Sequence, residues 1–163
     1  MVKRGNKHLV IQKIIETLQA ELETYTRVAK ASHAEATAEE NRAENKYDTR
    51  GLEASYLATG QANKVVELEE SIVAFEELMG RKFAKDEGID VGALVELEQA
   101  GERTHYFIGP SAGGTEVTCG KHEVLVITAQ SPLGSQLQNR QPGNKFELML
   151  AGAKQPVQII EVC

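Results

Sequence analysis

The sequence contains no tryptophan, and four tyrosines and four phenylalanines bring aromatic residues to only 5% of its 163 positions. Aromatic side chains dominate the energetics of thick cores. So thin a supply suits a helical hairpin joined to a small sheet. Cysteine is scarce too, Cys119 and Cys163 being the only two. Two isolated thiols do not make the disulfide framework of a small secreted domain and fit a reduced compartment, although a bridge between them stays open. No apolar run approaches the roughly 20 residues that span a bilayer. The segment MVKRGNKHLVIQKIIETLQAELE starts basic but turns amphipathic and charged within a few residues, unlike the apolar core of a signal peptide. A cytoplasmic protein with no membrane partner is expected. Positive charge is also in deficit, the formal net charge being −6. Strong independent binding to nucleic acid, which takes a basic surface, is therefore not expected.

Proline is absent from the first half; Pro110, Pro132, Pro142 and Pro156 all lie beyond Gly80. Before Gly80 the only glycines are Gly5, Gly51 and Gly60. Such a stretch can stay helical over a long distance, because Pro costs a helix interior about 3 kcal/mol and Gly about 1 kcal/mol. Two heptad runs fill it. Ile11, Ile15, Leu18, Leu22, Tyr25, Ala29, Ser32 and Ala36 follow alternating steps of four and three. Ala54, Ala58, Gln61, Val65, Leu68, Ile72, Phe75 and Met79 do the same. That alternation is the seam of a coiled coil.

The runs are also mirror images. Pairing the first with the second in reverse, Ile11 with Met79 through Ala36 with Ala54, gives residue numbers that always sum to 90. Large aliphatic residues meet at one end and small ones toward the middle. An antiparallel hairpin folded near residue 45 is expected, each arm extending on the order of 50 Å at about 1.5 Å per residue. Asn41 and Asn45 mark the turn, with Asn45 as cap of the second helix and Asp48 completing a capping-box-like arrangement. Periodicity alone equally allows such a hairpin to serve as a dimerisation or scaffold device.

The second half changes rhythm. Strands are expected at Ala93–Glu98, His105–Ile108, Val124–Ile127, Phe146–Leu150 and Val157–Val162, several alternating apolar with polar at period two. Turn signals separate them at Gln99–Gly101, Gly109-Pro110, Gly113-Gly114 and Pro142-Gly143. One short helix fits after Ser131, a good N-cap followed by Pro132 at the first helical position. The expected organisation is a coiled-coil hairpin over 1–80 with its tip near 40–48, a linker over 81–88 and a small domain over 89–163. The class is α+β, with a mainly antiparallel sheet and one short helix.

These parts, in this order, resemble the GreA/GreB family of bacterial transcription elongation factors. Two stretches carry the resemblance: AENKYDTRGLEASYLATGQANKVVELEESI around the tip, and LVITAQSPLGSQLQNRQPGNKFEL near the end. The resemblance implies an FKBP-like second domain and docking on RNA polymerase at its secondary channel, through Ser131, Pro132, Leu133 and Leu137. It also implies that tip carboxylates reach the polymerase active centre. There they share a Mg²⁺ ion with the polymerase and assist its cleavage of RNA in backtracked complexes. The protein would then be an accessory factor rather than an enzyme, meeting the 3′ end of nascent RNA only indirectly and holding no cofactor alone.

Mg²⁺ takes hard oxygen ligands, commonly one or two carboxylates with several waters, and a two-metal site stabilises both oxygens of a displacement at phosphorus. A carboxylate on a long arm can be lent to such a site. Glu44, with Glu40, is the expected catalytic contributor, and Glu44, Glu40 and Asp48 are the expected Mg²⁺ ligands. The family's tip has an aspartate three positions before the glutamate that Glu44 matches. Here that position is Asn41. Either Glu40 takes over or cleavage is weak or absent, which leaves open a regulator that occupies the channel without cleaving.

Other signals are weaker. Past residue 88 only Tyr106, Phe107 and Phe146 are aromatic, too few to line a prolyl isomerase pocket, and adjacent Tyr106 and Phe107 face opposite ways. Cys119 and His122, with His105 farther off, make at most part of a zinc site. A loop cysteine and an exposed histidine are expected instead.

Overall fold

The structure, a computed structural model, describes residues 4–37 and 50–163, with side chains inside the helices described for 6–31, 33, 34 and from 59 onward. Two helices lead, α1 (Arg4–Thr37) and α2 (Arg50–Glu77), forming the N-terminal hairpin. Six strands and a short helix follow: β1 (Leu94–Gln99), β2 (Glu102–Gly109), β3 (Glu116–Cys119), β4 (His122–Thr128), α3 (Pro132–Leu137), β5 (Lys145–Leu150) and β6 (Ala153–Val162). The α+β class expected from the sequence is the one observed.

By packing, the chain divides into two compact units. The smaller is Thr17–Ile72, the middle of the two helices. In it the expected seam is the buried side. Leu18, Leu68 and Ile72 are buried and Leu22, Tyr25, Ala29, Gln61 and Val65 half-buried, while Val28 and Val66, one step off the seam, are exposed. The Lys64 ammonium lies 6.0 Å from the centre of the Tyr25 ring. That cross-helix contact falls beside the expected Tyr25–Val65 pair, as the antiparallel register requires. The tip residues Glu40, Glu44 and Asp48, with Asn41 and the cap Asn45, lie outside the described residues.

The larger unit joins the residues up to Glu16 with Val73–Cys163. Packing thus groups the start of α1 and the end of α2 with the sheet, and the segment 81–88 carries Phe83 into the core. The strand order is β3-β4-β2-β1-β6-β5. All neighbours are antiparallel except β2 and β4, which run parallel. Val95, Leu97, Ile108, Ile127 and Ile159 point to one face, where they meet Phe83, Ile89 and Leu137. Leu94, Phe107, Val117, Val124 and Val126 are buried on the other. There the Phe107 ring lies 6.0 Å from that of Phe75 on α2. Each fully buried aliphatic or phenyl side chain contributes roughly 1.5–3 kcal/mol.

Turn chemistry sets the registers. Ala100-Gly101 joins β1 to β2 and Ala151-Gly152 joins β5 to β6, all four residues having positive φ of 51–81°. Two successive positive φ values are what a two-residue hairpin matching strand twist demands. Pro156 sits inside β6, a strand with neighbours on both sides. It pairs only with Glu147 of β5, because β1 begins its pairing at Val157. Proline is tolerated there as on an edge strand. The strand β3 was not expected: its four residues are too few for periodicity to register.

Candidate docking surface

The segment expected to dock is built around Ser131. Its Oγ donates to the Thr128 carbonyl at 2.7 Å and accepts from the Gly134 amide at 3.0 Å, satisfying one of the free N–H groups at the start of α3. Pro132 takes the first helical position, where its missing N–H costs nothing. Gly134 follows for a steric reason. A Cβ there would lie 1.9 Å from the Thr128 carbonyl oxygen, so only glycine allows the helix to pack this closely on the end of β4. The SPLG run is thus a device for seating α3 on the sheet.

The rest of the segment is held with similar care. Gln136 treats edge strand β5 as a neighbouring strand would: its side-chain amide donates to the Met149 carbonyl at 3.0 Å and accepts from the Met149 N–H at 2.8 Å. Asn139, with φ of 63°, donates its N–H to the Ile89 carbonyl, and the Ile89 N–H returns to the Arg140 carbonyl. The Arg140 guanidinium lies 3.6 Å from the centre of the Phe146 ring. Gln138 donates to the Asp90 carboxylate at 2.8 Å. The Val91 backbone N–H and then this amide hold Asp90 below the usual carboxylate range.

Of the residues expected to dock, Pro132 is exposed, and Ser131 and Leu133 are half-buried, Leu133 packing against the core. Leu137 is 0% exposed and belongs to the core itself. No partner can touch its side chain without opening the domain, so its part is to anchor the helix. Ser135, one turn along α3 from Pro132, and Met149 on β5 are also exposed, and sequence reasoning singled out neither. The i to i+3 spacing of Pro132 and Ser135 on one helix was the signal available.

Solved structures similar to this chain include three of Gfh1 proteins. No family model and no curated protein matches the chain. The GreA factor homolog 1 (Gfh1) of Thermus thermophilus is 20% identical, the match covering 96% of this chain and 94% of that one, with a TM-score of 0.38. Gfh1 of Thermus aquaticus is 22% identical over 93% of this chain and 90% of that one, with a TM-score of 0.40. A further structure, described as the transcription factor Gfh1, is 19% identical over 96% and 92%, with a TM-score of 0.40.

On the face of the sheet away from α3, β2 and β4 bring polar groups together. The His105 and His122 rings stand 4.6 Å apart, and His105 Nε2 lies 3.7 Å from Glu96 Oε1, which also pairs with Arg103. His105 is only 6% exposed, and its Nε2 has no hydrogen-bond partner among the described residues. Burial pushes its pKa down, against the pull of Glu96. Cys119, expected in a loop, is buried in β3 opposite a half-buried His122, because β3 and β4 form a hairpin there. Burial raises the Cys119 pKa. Among the described residues no three His, Cys, Asp or Glu side chains are grouped to hold a metal ion, and no helix is long and apolar enough to cross a membrane.

Proposed function

We propose that this protein is a Gre-like factor that docks on RNA polymerase at its secondary channel, with α3 and its surroundings against the rim and the hairpin tip directed toward the active centre. One observation carries the reading: a single chain joins a helical hairpin, with Glu40, Glu44 and Asp48 between its helices, to a sheet domain that rigidly presents the Ser131-Pro132 helix start. A rigid helix with exposed Pro132 and Ser135 is a preorganised contact, which lowers the entropic cost of association.

In this reading the tip carboxylates lend ligands to a Mg²⁺ ion shared with the polymerase, and the polymerase hydrolyses the backtracked RNA. Glu44 is the main contributor, with Glu40 or Asp48 as a second contact. Asn41 supports a second reading, in which the protein occupies the channel and regulates without cleaving. Docking is tested at Ser135, which is exposed and outside the core. Ser135→Glu should weaken polymerase binding about tenfold or more, equivalent to 1.4 kcal/mol, while leaving the melting temperature within about 2 °C. Unchanged affinity for a folded variant would remove α3 from the interface.

A further inference from the structure

Within the larger unit, the first turns of α1, the segment 79–85, Pro142 and the end of β6 line a partly open cavity of about 560 Å³. That volume lies in the range of small-molecule sites, roughly 300–1,000 Å³. Its lining combines apolar side chains such as Met79, Ile160 and Val162 with Lys7, Arg81, Lys82 and Lys85, against Glu161 and the negative charge at Cys163. In a chain of net charge −6, this is a local reversal of sign.

Lys7 is the telling residue. It is only 6% exposed, yet its ammonium has no Asp or Glu within ion-pair distance among the described residues. It donates one hydrogen bond, to the Arg81 carbonyl at 2.8 Å, and lies 4.7 Å from the centre of the Phe83 ring. Buried charges are normally paired, since desolvating one alone is costly. Arg81 is paired with Glu87, but Lys82 and Lys85 have no carboxylate partner among the described residues. Even with Arg81 set aside, three lysines outnumber the two opposing charges at Glu161 and Cys163. Several cations beside apolar surface suit a doubly charged head on a compact apolar body better than a single carboxylate.

We infer that this cavity binds a small phosphate monoester with an apolar body, its phosphate between Lys7 and the lysines of the rim. Such a ligand balances the excess positive charge of the lining and covers its apolar side chains. Burial depresses the Lys7 pKa to about 8, a cost that charge at Cys163 only partly opposes. Phosphate binding therefore favours the protonated lysine, and affinity should fall as pH rises through about 8.

The experiment is titration calorimetry on the full chain with phenyl phosphate, inorganic phosphate and benzyl alcohol as probes. The variants are Lys7→Met and the double variant Lys82→Gln/Lys85→Gln. Phenyl phosphate should bind saturably at one site, inorganic phosphate about tenfold more weakly and benzyl alcohol not at all. Lys7→Met should weaken phenyl phosphate about tenfold or more and remove the fall in affinity through about pH 8, leaving only the dependence below about pH 7 that the phosphate, with a second pKa of about 6, and His8 bring. The rim double variant, whose changes are exposed and leave the core intact, should weaken it several-fold and decides the matter if Lys7→Met misfolds. No saturable binding up to about 10 mM, where even millimolar ligands register, overturns the inference. So does equal binding of benzyl alcohol, or affinity unchanged in the rim double variant.

Discussion

Lys7 carries its charge into a site only 6% exposed, and folding therefore disfavours its protonated form. Its folded pKa, about 8, lies below the ordinary 10.5 because of burial. Between those values the unfolded chain holds more protons than the folded one, so stability must rise with pH across that window. The penalty is fully present below pH 8 and is at most on the order of 3–4 kcal/mol. Unfolding free energies of Lys7→Met and the parent chain, compared at pH 7.5 and pH 10.5, should differ more at the lower pH. A difference independent of pH would contradict the burial. His105 works from the acid side. Burial lowers its pKa below 6.5, so the unfolded chain takes up the proton first as pH falls. Stability should drop as pH falls below about 6.5, and NMR titration should find the His105 imidazole still mostly neutral at that pH. A His105 titration above 6.5 would show Glu96 outweighing burial. Neither environment was legible in the sequence, since both depend on which strands and turns surround the side chain.

At the scale of elements, α3 offers the sharpest test. Gly134→Ala places a methyl group 1.9 Å from the Thr128 carbonyl oxygen, and backbone must move to admit it. Overpacking of that kind costs about 1–3 kcal/mol or more, although alanine is intrinsically the better helix former by about 1 kcal/mol. Denaturant unfolding should therefore show a loss of at least about 1 kcal/mol, and a gain would mean that the helix is not seated on β4. The Ser131-Pro132 start was readable because capping chemistry is local. Gly134 was not, because its reason lies across space at Thr128. The same division holds elsewhere. The heptad seam was readable because every described position on it repeats one face, whereas β3 escaped because four residues with alternating burial look like any short connection. Leu137 was read as a contact residue and is a core anchor, since a six-residue helix shows too little periodicity to separate its two faces.

For the whole molecule, order of parts was the most legible feature: a proline-free heptad half, then a glycine-punctuated half alternating at period two. The boundary was read from composition near Gly80, but packing assigns the helix ends to the sheet's unit. A small sheet domain buries too little apolar surface alone, and Phe75 against Phe107 shows how the helix ends add to it. The tip was legible only as residue types and spacing, and its function is a proposal. Its proposed chemistry therefore depends on the polymerase, and the central claim is tested there. The measurement is RNA cleavage in a purified backtracked elongation complex with Mg²⁺, comparing the protein, its Glu44→Ala variant and no addition, alongside competition with a known secondary-channel binder. The account predicts shortened transcripts with the protein, at least about tenfold less cleavage with Glu44→Ala, a loss of 1.4 kcal/mol or more in barrier lowering, and equal competition by both. Competition without cleavage would select the regulatory reading that Asn41 supports. Neither cleavage nor competition would contradict the account.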